Sequence, residues 1–363
     1  MAFRSMQALK PLGSLGSKRD QGSHSSPAAI NRHNEISLPV EDAGAETKRK
    51  KRRNKRKASS EESDEEARKR ARGTARSPRE EEKKNDAATS PSDEFKVRYE
   101  EVAPLGEGGY GAVYSGFRKL DRLPIAIKHI PKDKVVYTEM SLNGEMCSLP
   151  LEVLLQLKAG SGAGPDSVGT TAAVTLLDWF ELPDELILVL ERPVPSSDLI
   201  SYLEARGDSI RECEAKTIMK QLVDAAMVIH SEGVFHRDIK LDNVLIEGFG
   251  EPRVRIIDFG CGCILKPGAY TEAPGTFEYS PPEWFKRGSY KAGPTTVWQL
   301  GVTMYAMLAG CLPFDTKREI VRNTPQLGNG FSHYCQHFLQ CCLDKSPERR
   351  PTLERLQLHP WLH

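Results

Sequence analysis

Near position 106 this 363-residue chain reads Leu105-Gly106-Glu107-Gly108-Gly109-Tyr110-Gly111-Ala112-Val113, a G-x-G-x-x-G pattern. Glycines let a backbone come close enough to a phosphate for its N–H groups to bond the oxygens. Alone the pattern is weak, because it also marks dinucleotide-binding folds. Here it lies between two β-type runs, 99–105 and 112–117, which suits a hairpin lid over phosphates better than a strand-to-helix turn. The next expected strand, 124–130, carries Ala126-Ile127-Lys128, close to the V-A-I-K pattern whose lysine meets the α- and β-phosphates. Such an ammonium needs a carboxylate to fix it. The helical segment expected at 149–157 offers Glu152 as its only acid.

Further on, Phe235-His236-Arg237-Asp238-Ile239-Lys240-Leu241-Asp242-Asn243 matches H-R-D-L-x-x-x-N with Ile in place of Leu. An apolar strand at 254–257 then ends in Asp258-Phe259-Gly260. Gly275-Thr276 and Pro281-Pro282-Glu283, a variant of A-P-E, follow in order. With these motifs in this order, residues 95–363 resemble the eukaryotic protein kinase domain. Leu190-Glu191-Arg192-Pro193-Val194-Pro195, Tyr279-Ser280-Pro281-Pro282-Glu283-Trp284 and His359-Pro360-Trp361 narrow the resemblance to the Pim family of serine/threonine kinases.

The resemblance implies transfer of the ATP γ-phosphoryl group to Ser or Thr hydroxyls of protein substrates, a reaction governed by positioning and electrostatics. It makes Asp238 the residue that takes or orients the hydroxyl proton. Lys240 steadies the γ-phosphate, Lys128 with Glu152 grips the other phosphates, and Asn243 and Asp258 hold Mg2+. Two oxygen ligands of this kind suit a hard cation. Thr276 is expected to reach Asp238 and Lys240, and Glu283 to pair with Arg350. Leu105, Val113, Ala126, Leu190 and Leu245 sandwich the adenine in this reading, though they also serve as ordinary core. The glycine-rich run from Gly106 through Ala112 covers the phosphates. Pro193 has no N–H to offer the base, so only the Glu191 carbonyl remains, at a loss of about 1 kcal/mol of affinity.

Some positions depart from the pattern. Thr296 stands where most kinases place an Asp that bonds the catalytic-loop backbone, although Pim kinases also lack it. Gln156 stands where an apolar side chain is usual. Asp198 and Asp242 keep an acidic character that Pim kinases use for basic peptides, whereas Ser201, Leu241, Cys311 and Lys317 do not. Between Gly260 and Gly275 only Tyr270 and Thr271 could accept a phosphate. Activity without activation-segment phosphorylation is therefore expected, with Glu272 supplying a fixed negative charge near Arg237. The rival class is a pseudokinase scaffold, for which Gln156 and Thr296 would be signs of decay.

The elements that must place these residues follow an α+β plan, the bilobal protein kinase fold. An antiparallel-sheet N-lobe with one main helix is expected at about 95–190, a hinge at 191–195, and a mostly helical C-lobe at 196–363. Before it lies a segment, 1–94, whose only aromatic residue is Phe3 and which is too polar to build a core, so disorder is expected there. That segment holds 22 basic and 16 acidic residues against 29 and 34 in the remainder, so the net charge of +1 combines a +6 part with a −5 part.

Residues 48–57 (KRKKRRNKRK) are basic at every position but Asn54, and 68–72 (RKRAR) form a second patch. Such a run reads as a nuclear import signal, a nucleic-acid patch or a plain solvated charge run. Import receptors are the expected partners and nucleus and cytoplasm the expected locations. Specific nucleic-acid binding is disfavoured because no aromatic side chain is interleaved to stack on bases. Mean hydropathy is −0.48, no run reaches the roughly 18 apolar residues a membrane helix needs, and a monomer is expected. His333, Cys335, His337, Cys341 and Cys342 could suggest zinc but are expected to pack in a helical core. Cys261 and Cys263, flanking the magnesium loop, could serve as a redox switch or be inert.

Overall fold

A serine in front of a proline and two acids is a helix start, and Ser90 acts as one. Its Oγ accepts the Asp93 N–H at 3.2 Å, Pro91 opens the first turn, and Asp93 and Glu94 favour the positive end of the helix dipole. The computed structural model describes residues 90–108, 111–142, 145–160, 171–248, 250–273, 275–325, 328 and 330–363. The basic runs 48–57 and 68–72, and with them the expectations for nearly all of the first 94 residues, lie outside the described residues, as do Gly109 and Tyr110. Pro91 to Glu94, counted by charge with the tail, instead belong to helix α1 (Pro91–Arg98), which Ser90 caps and whose one buried side chain is Phe95.

Five antiparallel strands follow in the spatial order β1 (Tyr99–Gly108), β2 (Gly111–Arg118), β3 (Pro124–Pro131), β7 (Glu185–Glu191) and β6 (Leu176–Glu181). Side chains alternate across a strand. On β3, Ile125 and Ile127 face a cluster with Phe95, Tyr99, Phe180, Ile187 and Val189. Ile130 faces the opposite cluster with Val153, Leu154, Leu176, Leu186 and Leu188, against which Ala126 also packs. The same parity points Lys128 toward the helix that carries Glu152.

That helix, α2 (Leu151–Ala159), begins later than the segment expected at 149–157. Leu149 and Pro150 close a strand instead, because a residue before proline is pushed out of helical geometry. A hairpin, β4 (Tyr137–Leu142) with β5 (Glu145–Pro150), delivers the chain to it.

Beyond the hinge, β8 (Ser196–Asp198), β10 (Val244–Glu247) and β11 (Arg253–Ile256) form a small sheet, with β9 (Val234–Phe235) and β12 (Cys263–Ile264) pairing beside it. Helices α3 (Leu199–Glu204), α4 (Glu212–Ser231), α5 (Pro282–Arg287), α6 (Ala292–Ala309), α7 (Lys317–Arg322), α8 (His333–Cys342) and α9 (Leu353–Gln357) complete the lobe. The α4 helix has a clear apolar face, whereas α6 is buried on nearly every side, so it acts as a post inside the lobe. No helix of the described residues is long and apolar enough to cross a membrane. The architecture is the expected α+β one.

Among the described residues, several buried polar atoms lack a partner, and one side chain lacks both of its bonds. Gln156 on α2 is 1% exposed, and neither its Oε1 nor its Nε2 has a hydrogen-bond partner. A buried unpaired amide costs about 1–3 kcal/mol. Gln156→Leu should therefore raise the free energy of urea unfolding by about that amount; an unchanged or lower value would show that the amide is satisfied in solution.

Candidate active site

The β1–β2 hairpin forms the roof. Gly106 pairs with Val113, Glu107 with Ala112 and Gly108 with Gly111. Gly111 has φ +133°, and a Cβ there would sit 1.9 Å from the His129 carbonyl oxygen, so only glycine fits. Gly106 and Gly108 have open space where a side chain would be, and Leu105 to Gly108 are exposed.

Beneath the roof Lys128 donates to Glu152 Oε1 at 2.7 Å and to Asp258 Oδ1 at 2.8 Å. Burial alone would strip its proton, but the two carboxylates overturn that and hold its pKa above the ordinary lysine value. Burial likewise works on Asp258, where Lys128 outweighs it and keeps the carboxyl below its usual range.

The loop after β9 gathers around a second carboxylate. Asp238 Oδ1 accepts the Thr276 N–H at 2.9 Å, and Oδ2 accepts from Asn243 Nδ2 at 3.1 Å with Lys240 Nζ 3.4 Å away. Lys240 also donates to Thr276 Oγ1 at 3.0 Å. Gly275 approaches so closely that a Cβ would lie 2.7 Å from Asp238 Oδ1, and its φ of +76° suits glycine. Arg237 and Asp258 hold φ near +66° and +65°, a conformation costing non-glycine residues of order 1–3 kcal/mol.

His236 is buried and neutral, its pKa lowered mainly by desolvation. Its Nε2 donates to the Ile257 carbonyl at 3.1 Å and its Nδ1 accepts the Asp238 N–H at 3.3 Å. Phe259 packs against its ring, with centroids 4.8 Å apart.

Asn243 Oδ1 and Asp258 Oδ2 accept no hydrogen bond from the described residues. An amide oxygen and a carboxylate oxygen, both hard donors, thus fit a small divalent cation.

At the hinge the Glu191 N–H goes to Thr175 and the Arg192 N–H to Pro124, leaving the Glu191 carbonyl as the acceptor for a base. The Glu191 side chain is held elsewhere. Arg255, fully buried, meets it at 2.6 and 3.1 Å and reaches Glu247 at 2.8 Å and the Ala173 carbonyl at 2.9 Å. Sequence reasoning missed Arg255. Its only trace is a charged residue interrupting the apolar face of a short strand. Val113 and Ala126 line the cleft side of the sheet, with Leu190 beside them and Leu245 on β10 opposite Asp198 and Arg255.

Arg350 and Glu283 make the expected pair, two parallel bonds at 2.8 and 2.6 Å inside the lobe. Thr296 does not reach the catalytic loop. Its hydroxyl donates to the Ala292 carbonyl and receives from His230 Nε2, both at 3.0 Å. On the segment after Gly260, Arg237 meets Glu272 at 2.9 Å; Tyr270 is buried against Tyr290, whereas Thr271 is exposed.

The zinc candidates separate. Cys335 and Cys342 pack in the core and His333 lies outside it, while His337, Cys341 and His359 come together. His359 Nδ1 accepts the Trp361 N–H at 3.1 Å, so its Nε2 keeps the proton and donates to His337 Nδ1 at 2.8 Å. A proton, not a lone pair, thus lies between the two rings, which disfavours a shared metal, while exposed His337, like His333, departs from the expected core packing.

Comparison with known proteins agrees with this geometry. The protein kinase domain family matches residues 99–362. Serine/threonine-protein kinase pim-2 of Danio rerio is 38% identical over 277 residues, covering 76% of this chain and 88% of the relative. Serine/threonine-protein kinase prk-2 of Caenorhabditis elegans is 31% identical over 274 residues, 74% of this chain and 59% of the relative. A PAS domain-containing serine/threonine-protein kinase of Mus musculus is 31% identical over 275 residues, 74% of this chain but 19% of the relative.

His230, beside Thr296, has its pKa lowered to about 4 by burial. The unfolded chain takes up its proton first, near pH 6.5, so stability is full above that value and declines as pH falls toward 4. Urea unfolding at pH 5 should show a loss of about 2 kcal/mol relative to pH 7 from this residue. In His230→Gln, which keeps an N–H donor, that part of the pH dependence should vanish.

Proposed function

The chain belongs to the protein kinase family, and from that premise we propose an active, Pim-like serine/threonine kinase that moves the γ-phosphoryl group of ATP to hydroxyls of protein substrates. The observation that carries the reading is the single cluster in which Asp238 is met by Thr276, Asn243 and Lys240 while Lys128 keeps its Glu152 partner. A decayed scaffold has no reason to keep this geometry intact.

ATP would lie under the β1–β2 hairpin, its base between Val113, Ala126 and Leu190 above and Leu245 below, bonded to the Glu191 carbonyl. Lys128, held by Glu152, would take the α- and β-phosphates. Asn243 and Asp258 would hold Mg2+, which supplies positive charge against the phosphate oxygens. Asp238 would orient the substrate hydroxyl and take its proton, and Lys240, steadied by Thr276, would balance charge on the γ-phosphoryl oxygens.

The site would need no phosphate on the activation segment. Glu272 already answers Arg237, and Tyr270 is too buried to be modified readily. Because Glu272 is 78% exposed, its pair with Arg237 is worth no more than about 1 kcal/mol.

Substrate choice would lean less on basic residues than in Pim kinases. Asp198 spends its carboxylate capping α3 through the Ser201 N–H and hydroxyl, which leaves Asp242 as the exposed acid beside the loop. We also propose that residues 48–57 direct import into the nucleus. Replacing their lysines and arginines with alanine should leave a fluorescent fusion in the cytoplasm, and persistent nuclear signal would place the determinant elsewhere.

Lys128→Met and Asp238→Asn should each lower phosphotransfer to an arrayed peptide library by at least about 100-fold; the melting temperature should stay nearly unchanged in Asp238→Asn, whereas Lys128→Met also lowers it by leaving buried Glu152 unmatched. Equal turnover in wild type and Asp238→Asn would end the assignment. Bacterially expressed, phosphatase-treated protein with unmodified Thr271 should stay active, and Glu272→Ala should cost no more than about fivefold. Activity that returns only after another kinase acts would make Thr271 a switch.

A further inference from the structure

Four backbone groups surround the proposed base: the Arg237 carbonyl, the Asp238 N–H, the Asp238 carbonyl and the Ile239 N–H. Among the described residues none of them takes part in a helix or a strand, and each is met by a side chain. His236 Nδ1 accepts the Asp238 N–H at 3.3 Å, and Asn243 Nδ2 donates to the Asp238 carbonyl at 2.9 Å. The remaining two belong to one residue. Gln299, fully buried on α6, donates from Nε2 to the Arg237 carbonyl at 2.6 Å and accepts the Ile239 N–H on Oε1 at 3.3 Å.

We propose that Gln299 is a positioning residue for phosphotransfer, its amide bracketing Asp238 on both sides and so setting where the carboxylate stands. The inference rests on the kinase reading given above.

Three features support it. The first is chemical: an amide carries a donor and an acceptor on two separate atoms of one plane, whereas a carboxylate only accepts and a hydroxyl must do both from a single oxygen. Bonding a carbonyl and an N–H two residues apart requires that combination. The second is the platform. Positions 296 and 299 are one turn apart on the same face of α6, which is buried on nearly all sides. Thr296 is committed to His230 and Ala292, so the longer side chain one turn on reaches the loop instead. The third is need. Arg237 holds φ +66°, a left-handed conformation that a non-glycine residue does not keep unaided, and the carbonyl Gln299 clamps is that residue's own. Releasing it would let the peptide turn and swing Asp238 away from Thr276 and Asn243.

The test is steady-state kinetics of the full chain with Mg2+, ATP and a peptide taken from the library. Turnover is expressed per nucleotide-binding site, counted with a fluorescent ATP analogue. Gln299→Ala should lower kcat by about 10- to 100-fold, the range expected when a reacting group is misplaced by about 1 Å. KM for ATP should change by less than about twofold, since Gln299 touches no part of the nucleotide cleft.

Gln299→Glu supplies a readout that a merely structural role would not move. Its protonated carboxyl reproduces the donor and acceptor of the amide, whereas the carboxylate repels the Arg237 carbonyl. Its activity relative to wild type at each pH should therefore rise as pH falls, and taking that ratio cancels every ionisation common to both proteins. If Gln299→Ala keeps wild-type kcat per site, or loses activity only in step with nucleotide-binding sites, the inference is overturned. A flat pH ratio for Gln299→Glu overturns it too. A wild-type protein without turnover would instead remove the kinase reading beneath it.

Discussion

Lys128 places an ammonium where water scarcely reaches, and the cleft is organised around answering it from two directions. Glu152 comes from α2, packed on the N-lobe sheet, and Asp258 comes from the loop that leaves β11 in the C-lobe. Removing one partner of a buried pair costs about 3–5 kcal/mol because the other charge stays buried and unmatched. That penalty couples the position of α2 to the position of the Asp258 loop. The two lobes must be arranged so that both carboxylates arrive together.

A different constraint governs the proposed base. No helix or strand holds the Asp238 backbone, so its precision has to come from side chains that are themselves fixed. His236 is held by the Ile257 carbonyl and by packing on Phe259, and Asn243 and Gln299 are buried. A polar network of this kind rigidifies when every member is paired. Gln156 shows the contrary case within the same molecule, a buried amide with nothing to bond.

The hinge is also braced by a buried polar side chain. Arg255 is wholly buried yet paired with two carboxylates and a carbonyl, which keeps the Glu191 side chain turned from the cleft and leaves its carbonyl for a base. The bonds cross from β11 to the end of β7, so the small C-lobe sheet braces the strand on which the N-lobe turns.

Groups that must act on phosphates could be read from the sequence, because each lies in a short motif. Gly111, Lys128, Asp238, Asn243 and Asp258 are set by local spacing, and strand parity already put Lys128 on one face of β3. Only the tertiary structure decided which distant groups hold them. The bonds from Gln299 to the catalytic loop, from Arg255 to Glu191 and from His359 to His337 join positions separated by 62, 64 and 22 residues. No local pattern encodes such pairs. Thr296 marked where a loop partner was missing, but that Gln299 replaces it depends on a helical turn and the reach of one side chain. The start of α2 after Pro150 was readable in principle from proline sterics. The match of buried donors to buried acceptors was not, since it exists only once the chain has closed on itself.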